Sequence, residues 1–97
     1  MYNKCMKFEW DPGKSESNRK KHGIDFETAK ELWMDENRVE IHAPHHLEDR
    51  MILIAKHLGR IWAAIYTVRQ NSIRLISVRR GREKEVDIYE EKSAGQK

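Results

Sequence analysis

Between Ser72 and Glu85 the chain reads SIRLISVRRGREKE, where Arg74, Arg79, Arg80, Arg82 and Lys84 stand against Glu83 and Glu85. A guanidinium is a planar fork of N–H donors that matches two oxygens of a phosphate or of a carboxylate. Such a cluster, where an apolar strand gives way to a helix, suits two tasks: gripping phosphates or lying along an acidic partner. Strict alternation puts Ile73, Leu75, Ser77 and Arg79 on one strand face and Arg74, Ile76, Val78 and Arg80 on the other. Arg79 and Arg80 are therefore expected to do different work, unless a bulge or a turn at Gly81 intervenes.

The elements that must carry this cluster follow from patterning. Lys7–Trp10 alternates and reads as a short strand with Phe8 and Trp10 on one face. Asp11-Pro12 opens a helix that is polar all round to His22, and Gly23 stops it. Asp25 caps a second helix whose buried stripe is Phe26, Ala29, Leu32 and Trp33. Asp35-Glu36-Asn37 breaks it. Arg38–His42 reads as a strand, 43–49 as a loop, and Met51–Ala55, Ile61–Val68 and Ile73–Val78 as strands joined by short turns, hence antiparallel neighbours. Arg82–Glu91 returns to helical spacing, and residues 93–97 read as a loose tail. The order β-α-α-β-β-β-β-α makes an α+β fold, a twisted antiparallel sheet packed on helices, in one domain spanning 1–97. Met6 offers a second start, which would make residues 1–5 an extension.

Charged residues form 36% of the chain, against roughly 25% in an average domain. The net charge of +3 is unevenly spread: residues 25–49 hold eight acids against Lys30 and Arg38, whereas 69–84 hold six cations against Glu83. A basic half beside an acidic segment suits a polyanion-binding face, or two halves that neutralise each other across the fold. The single cysteine, Cys5, excludes an intramolecular disulfide and a multi-cysteine metal site. With no apolar run of membrane-span length and no signal core, the protein is expected in the cytoplasm, off the membrane.

Four pieces then occur in order: Phe8-Glu9-Trp10-Asp11, Lys21-His22-Gly23-Ile24-Asp25-Phe26, Ile76-Ser77-Val78-Arg79-Arg80, and Lys84-Glu85 with Tyr89-Glu90-Glu91. Together they resemble the BrnT toxins, ribonucleases of bacterial type II toxin–antitoxin pairs, over roughly residues 6–91. The resemblance implies a RelE-like fold and a metal-independent ribonuclease that blocks translation. It implies a BrnA-type antitoxin carrying a DNA-binding module, a hetero-oligomer that represses its own operon, and operator DNA bound only through the antitoxin. In the family the last strand usually leads into a small-residue step such as Ala-Ser or Ala-Thr; here the step is Gly81-Arg82.

Cutting RNA without a metal needs a base for the 2′-hydroxyl, an acid for the leaving 5′-oxygen, and cations on the phosphate. Arg79 is the first candidate for the phosphate and Arg69 the second, although a tight Gln70-Asn71 turn sets Arg69 beside Ser72 and Arg74, a strand's length from Arg79. Arg74, Arg80 and Arg82 are the RNA-binding candidates. For acid–base work the resemblance supplies His22, Lys84, Glu85 and Tyr89. His22 also reads as a cap for the last helical carbonyls, Glu85 as a carboxylate that orients Arg79 or Arg80, and Tyr89 as core. His42, His45 and His46 could suggest a metal, but two ligands this close in a loop lack a clear third or fourth, so neither metal nor cofactor is expected. Trp33 and Trp62 read as core; Lys14, Arg19, Lys20 and Lys21 read as a solvated helix face. Two further readings stay open: a non-catalytic co-repressor subunit of this fold, and a simple nucleic-acid-binding domain.

Overall fold

The computed structural model describes residues 7–44 and 46–95. The expectations for Cys5, for residues 1–5 and for His45 lie outside them, as does the end of the tail.

The chain forms β1 (Lys7–Glu9), α1 (Pro12–His22), α2 (Phe26–Ala29) with a following 3-10 segment (Lys30–Met34), β2 (Val39–Ala43), β3 (Arg50–His57), β4 (Arg60–Arg69), β5 (Ser72–Arg80) and α3 (Glu83–Gly95). The local signals act as anticipated. Asp11 accepts the Gly13 N–H at 2.8 Å and Asp25 accepts the Thr28 N–H at 2.8 Å, each satisfying an orphan donor at a helix start. Gly23, at φ 85°, ends α1 by donating to Arg19 O. Gln70 and Asn71, at φ 46° and 71°, both adopt the left-handed region, which a two-residue hairpin needs to match the twist of β4 and β5.

The sheet order is β1-β5-β4-β3-β2. The four strands β2 to β5 form an antiparallel meander, and β1 adds to β5 in parallel, so the sheet is mixed. One face carries the main core. Phe26, Ala29, Leu32 and Trp33 are buried against Leu53, Ala55, Trp62, Ala64, Tyr66, Leu75 and Val78. Phe8 and Trp10 join it edge-on, with ring centroids 5.1 Å from Trp33 and 6.2 Å from Phe26. Burying aromatic rings in T-shaped contact adds roughly 0.5–1.5 kcal/mol per pair beyond area alone.

Strict alternation fails on β5. Ile65 pairs with Ser77 but Tyr66 pairs with Leu75, so Ile76 is an extra residue opposite β4. This bulge shifts the parity of everything after it. Ile73, Leu75 and Val78 all enter the core, and Arg79 lands on the opposite face from Ile73 and Leu75, which corrects the grouping expected from sequence. Arg79 and Arg80 still point to opposite sides.

The second face is crossed by rows of paired residues. One row is Val39, Ile54, Ala63 and Arg79; the next is Ile41, Ile52, Ile65 and Ser77. Ile54 and Ala63 are fully buried, and α3 packs on β2 and β3 on this side. The helix is fastened there by Tyr89, whose hydroxyl donates to Asp35 Oδ2 at 2.6 Å, and by Lys92, whose ammonium donates to Arg38 O at 2.7 Å. Asp35 also accepts the N–H groups of Lys56 and Asn37. Burial works to raise the Asp35 carboxyl, but these hydrogen bonds outweigh it and hold it below the ordinary value. Tyr89 is buried, as expected, and burial together with Asp35 pushes its phenol up to about 12.

α1 is held differently. Of its residues only Asn18 is buried. The Asn18 amide donates to Ile24 O and Val78 O at 2.8 Å and accepts the Val78 N–H at 3.1 Å. β1 pairs with β5 only at Ser72–Arg74. Beyond it, the Asn18 side chain takes the place of a strand against Val78.

Candidate active site

Arg79 and Glu85 meet on the second face, at the β5 end of the row through Ala63. Arg79 Nη1 donates to Glu85 Oε1 at 2.8 Å and Nη2 to Oε2 at 2.9 Å, and both side chains are largely buried, at 17% and 14% exposure. Glu85 Oε1 also accepts the Arg82 N–H at 2.8 Å. Arg82 precedes the first residue of α3 and Glu85 is the third, so this is the back-bond of a capping box. One carboxylate thus fixes the arginine and the start of the helix together. Its bond to Arg79 holds the Glu85 carboxyl below its ordinary range, and the same bond raises the Arg79 guanidinium. A carboxylate held down in this way is a weak base and a good anchor.

Glu85 occupies the end of the guanidinium, the Nη1–Nη2 edge. The side edge, Nε with the second Nη2 hydrogen, is not engaged by Glu85 and is itself a two-donor fork. It can meet two phosphate oxygens while the carboxylate keeps the plane fixed.

The turn that joins these residues explains Gly81. Its N–H donates to Ile61 O at 2.8 Å, and a Cβ there would sit 3.0 Å from Ile61 Cγ2 and 3.2 Å from Ile61 O. Glycine lets the chain hug β4 before it turns into α3.

The other expected residues distribute unevenly. Arg80 lies over the Trp62 ring on the core side, 5.7 Å from its centroid. Arg74 shares the second face but is paired with Glu9 at 3.2 Å, beyond the bulge. Arg69 pairs with Glu48 at 3.0 Å and stands opposite Ser72. It is six residues along β4 from Ala63, the partner of Arg79, or roughly 20 Å. Arg82 and Lys84 are exposed at the start of α3. His22 is half-buried and shares a cleft with Lys14, Lys21 and Ser77, and Ser77 lies two residues from Arg79. The structure therefore pairs Arg79 with Glu85, sets the His22 cleft two strand residues away at Ser77, leaves Arg69 remote, and puts Arg80 on the other face.

Two residues were not anticipated. Asn18 sits in a helix that reads as wholly surface, and only its place in the stripe Lys14, Ser17, Asn18, Lys21 marks it. Arg50 is half-buried at the start of β3, with its Nε buried and without a hydrogen-bond partner among the described residues. The alternation Arg50, Ile52, Ile54 would have placed it on the second face.

The matched family is described as the ribonuclease toxin BrnT of type II toxin–antitoxin systems, and the match runs over residues 10–85, ending on the glutamate that grips Arg79. The chain belongs to the BrnT family. No curated protein matches it. Membership of the BrnT family makes the chain a ribonuclease toxin whose target is RNA and whose partner is a protein antitoxin. Among the described residues no helix is long and apolar enough to cross a membrane, and no group of three or more His, Cys, Asp or Glu side chains is placed to hold a metal ion. His42, one of the three histidines near the β2–β3 loop, contacts Asp49 at 3.3 Å.

Proposed function

We propose that this BrnT-family chain is a metal-independent endoribonuclease of the cytoplasm that blocks translation by cutting RNA, with Arg79 as the residue that holds the scissile phosphate. The observation that carries this reading is the Arg79–Glu85 pair, which fixes a guanidinium through its Nη1–Nη2 edge and leaves the Nε–Nη2 edge unengaged by Glu85. In the reaction the ribose 2′-hydroxyl loses its proton to a base, O2′ attacks phosphorus, and the P–O5′ bond breaks. O5′ takes up a proton, leaving a 2′,3′-cyclic phosphate and a 5′-hydroxyl. Negative charge builds on the phosphate oxygens, and fixed donors aimed at them stabilise that state more than the ground state. Glu85 orients Arg79. His22 and Lys84 are the remaining candidates for proton transfer, with His22 next to the β5 side of the site. Arg74 and Arg82 would contact flanking nucleotides, and Arg69 a more distant one.

The row Ile41, Ile52 and Ile65, half-exposed beside these arginines, suits an amphipathic segment of the antitoxin whose acids meet the arginines. A BrnA-type antitoxin seated there would exclude RNA. The hetero-oligomer would reach operator DNA through the antitoxin and repress the operon.

Incubation of the purified protein with RNA in EDTA, beside Arg79→Ala, tests the catalytic reading. Cleavage by the parent and its loss in the variant is expected; equal cleavage by both, or none by either, sinks it. One observation favours a non-catalytic co-repressor instead: Glu85 neutralises Arg79 outright in the free chain. Expression without antitoxin separates the readings, since the co-repressor would leave growth unaffected.

A further inference from the structure

The outer edge of β5, past the end of β1, faces α1 across an open cleft of about 190 Å³ lined by Lys14, Ser17, Lys21, His22, Ile76 and Ser77, with Asn18 at its base. The stripe Lys14, Ser17, Asn18, Lys21 has the spacing that usually carries an apolar face, and here it carries two ammonium groups, a hydroxyl and an amide. Asn18 turns inward and fixes α1 to the backbone of Val78, so the two lysines are held beside Ser77. Arg19, Arg69, Arg74 and Arg79 each have a carboxylate partner, whereas Lys14 and Lys21 have none among the described residues. Among the described residues no carboxylate lines the cleft. Ser77 and Arg79 are two strand residues apart on the same face, roughly 7 Å. That separation is on the scale of one nucleotide step along a single strand.

We infer that the cleft between α1 and β5 is a second phosphate subsite, holding the RNA phosphate adjacent to the one at Arg79 by Lys14, Lys21 and the Ser77 hydroxyl, with Asn18 as the positioning residue. This rests on the ribonuclease reading above for the identity of the strand. Unpaired ammonium groups are the part of the surface where a phosphate gains most, because no internal carboxylate has to be displaced.

The test uses a fully 2′-O-methylated oligoribonucleotide, which binds as RNA and has no free nucleophile. Its affinity is measured over a series of KCl concentrations for the parent chain, Lys14→Gln/Lys21→Gln, and Lys20→Gln as a control on the same helix outside the cleft. Loss of one phosphate contact flattens the log–log salt slope by about 0.7. The double variant should show that change, with KM for unmodified RNA raised several-fold and kcat kept, and Lys20→Gln should match the parent. An unchanged slope in the double variant, equal flattening by Lys20→Gln, or no binding by the parent overturns the subsite. Expected slopes with unmodified RNA left intact overturn the ribonuclease reading and leave the subsite standing.

Discussion

Arg79 and Glu85 meet through two parallel hydrogen bonds of 2.8 and 2.9 Å, and the same carboxylate accepts the backbone N–H that starts α3. The arginine's function is therefore tied to its shape as well as its charge. Arg79→Lys keeps the charge and loses the fork. It should lower kcat on RNA by about 100-fold, close to the effect of Arg79→Ala, since one fixed donor is worth about that much in a charged transition state. Arg80→Ala, which removes a contact with Trp62 on the other face, should leave kcat within about twofold. Single-turnover cleavage measures both.

Glu85→Gln should destabilise the fold by about 1.5–3 kcal/mol at neutral pH, the range for a hydrogen bond to a charged group. The sign of the pH dependence is fixed by the direction of the shift. The Glu85 carboxyl lies below its ordinary value of 4.5 in the folded chain, so its contribution is present above that value and is lost as pH falls through the depressed one. The gap between parent and variant in urea midpoint should thus close on acidification. A gap that stays constant down to strong acid would mean the pair adds no charge-dependent stability.

Asn18→Ala should cost about 2–4 kcal/mol, because it leaves the N–H and C=O of Val78 and the C=O of Ile24 without their partner. Asn18→Asp should be nearly as costly, since a carboxylate can accept the Val78 N–H but cannot donate to either carbonyl. Denaturant unfolding reports both, and a loss below about 0.5 kcal/mol for either contradicts the tether.

Tyr66 and Tyr89 should titrate late. Tyr89 is pushed up to about 12 by burial and Asp35, and Tyr66 is raised further by burial and its hydrogen bond to Glu40. For these phenols the stabilising, protonated form is present below the ordinary value of 10 and is lost as pH rises through the elevated one. Ultraviolet titration should show the missing tyrosine absorbance appearing only near alkaline unfolding. Tyr89→Phe should remove one late step and loosen α3 by about 1 kcal/mol.

Much of this architecture could be read from the chain because local and global signals agree. Asp11 and Asp25 cap the helices they precede, Gly23 stops α1, and Phe26, Ala29, Leu32 and Trp33 make the expected buried stripe. What could not be read follows from contacts between distant residues. Ile76 looks like an ordinary strand residue, and only the register against Ile65 and Tyr66 makes it a bulge. The face of Arg79 was lost with it. Asn18 was hidden because its partners lie in the loop after α1 and in β5, and a polar side chain on a polar helix carries no periodic signal. The pairing of Glu85 with Arg79 was one of two options in sequence; the shift of parity at the bulge and the turn at Gly81 select it.

The Asn18–Val78 bonds span 60 positions of sequence. α1 buries no apolar side chain of its own and is tied to the sheet through the backbone of Val78, so its docking there cannot precede β5. That places α1 outside the folding nucleus: removing the Asn18 amide should speed unfolding and leave the refolding rate almost unchanged. It also sets a clock on the toxin during synthesis. A nascent chain cannot assemble the lysine-lined cleft until β5 has left the ribosome.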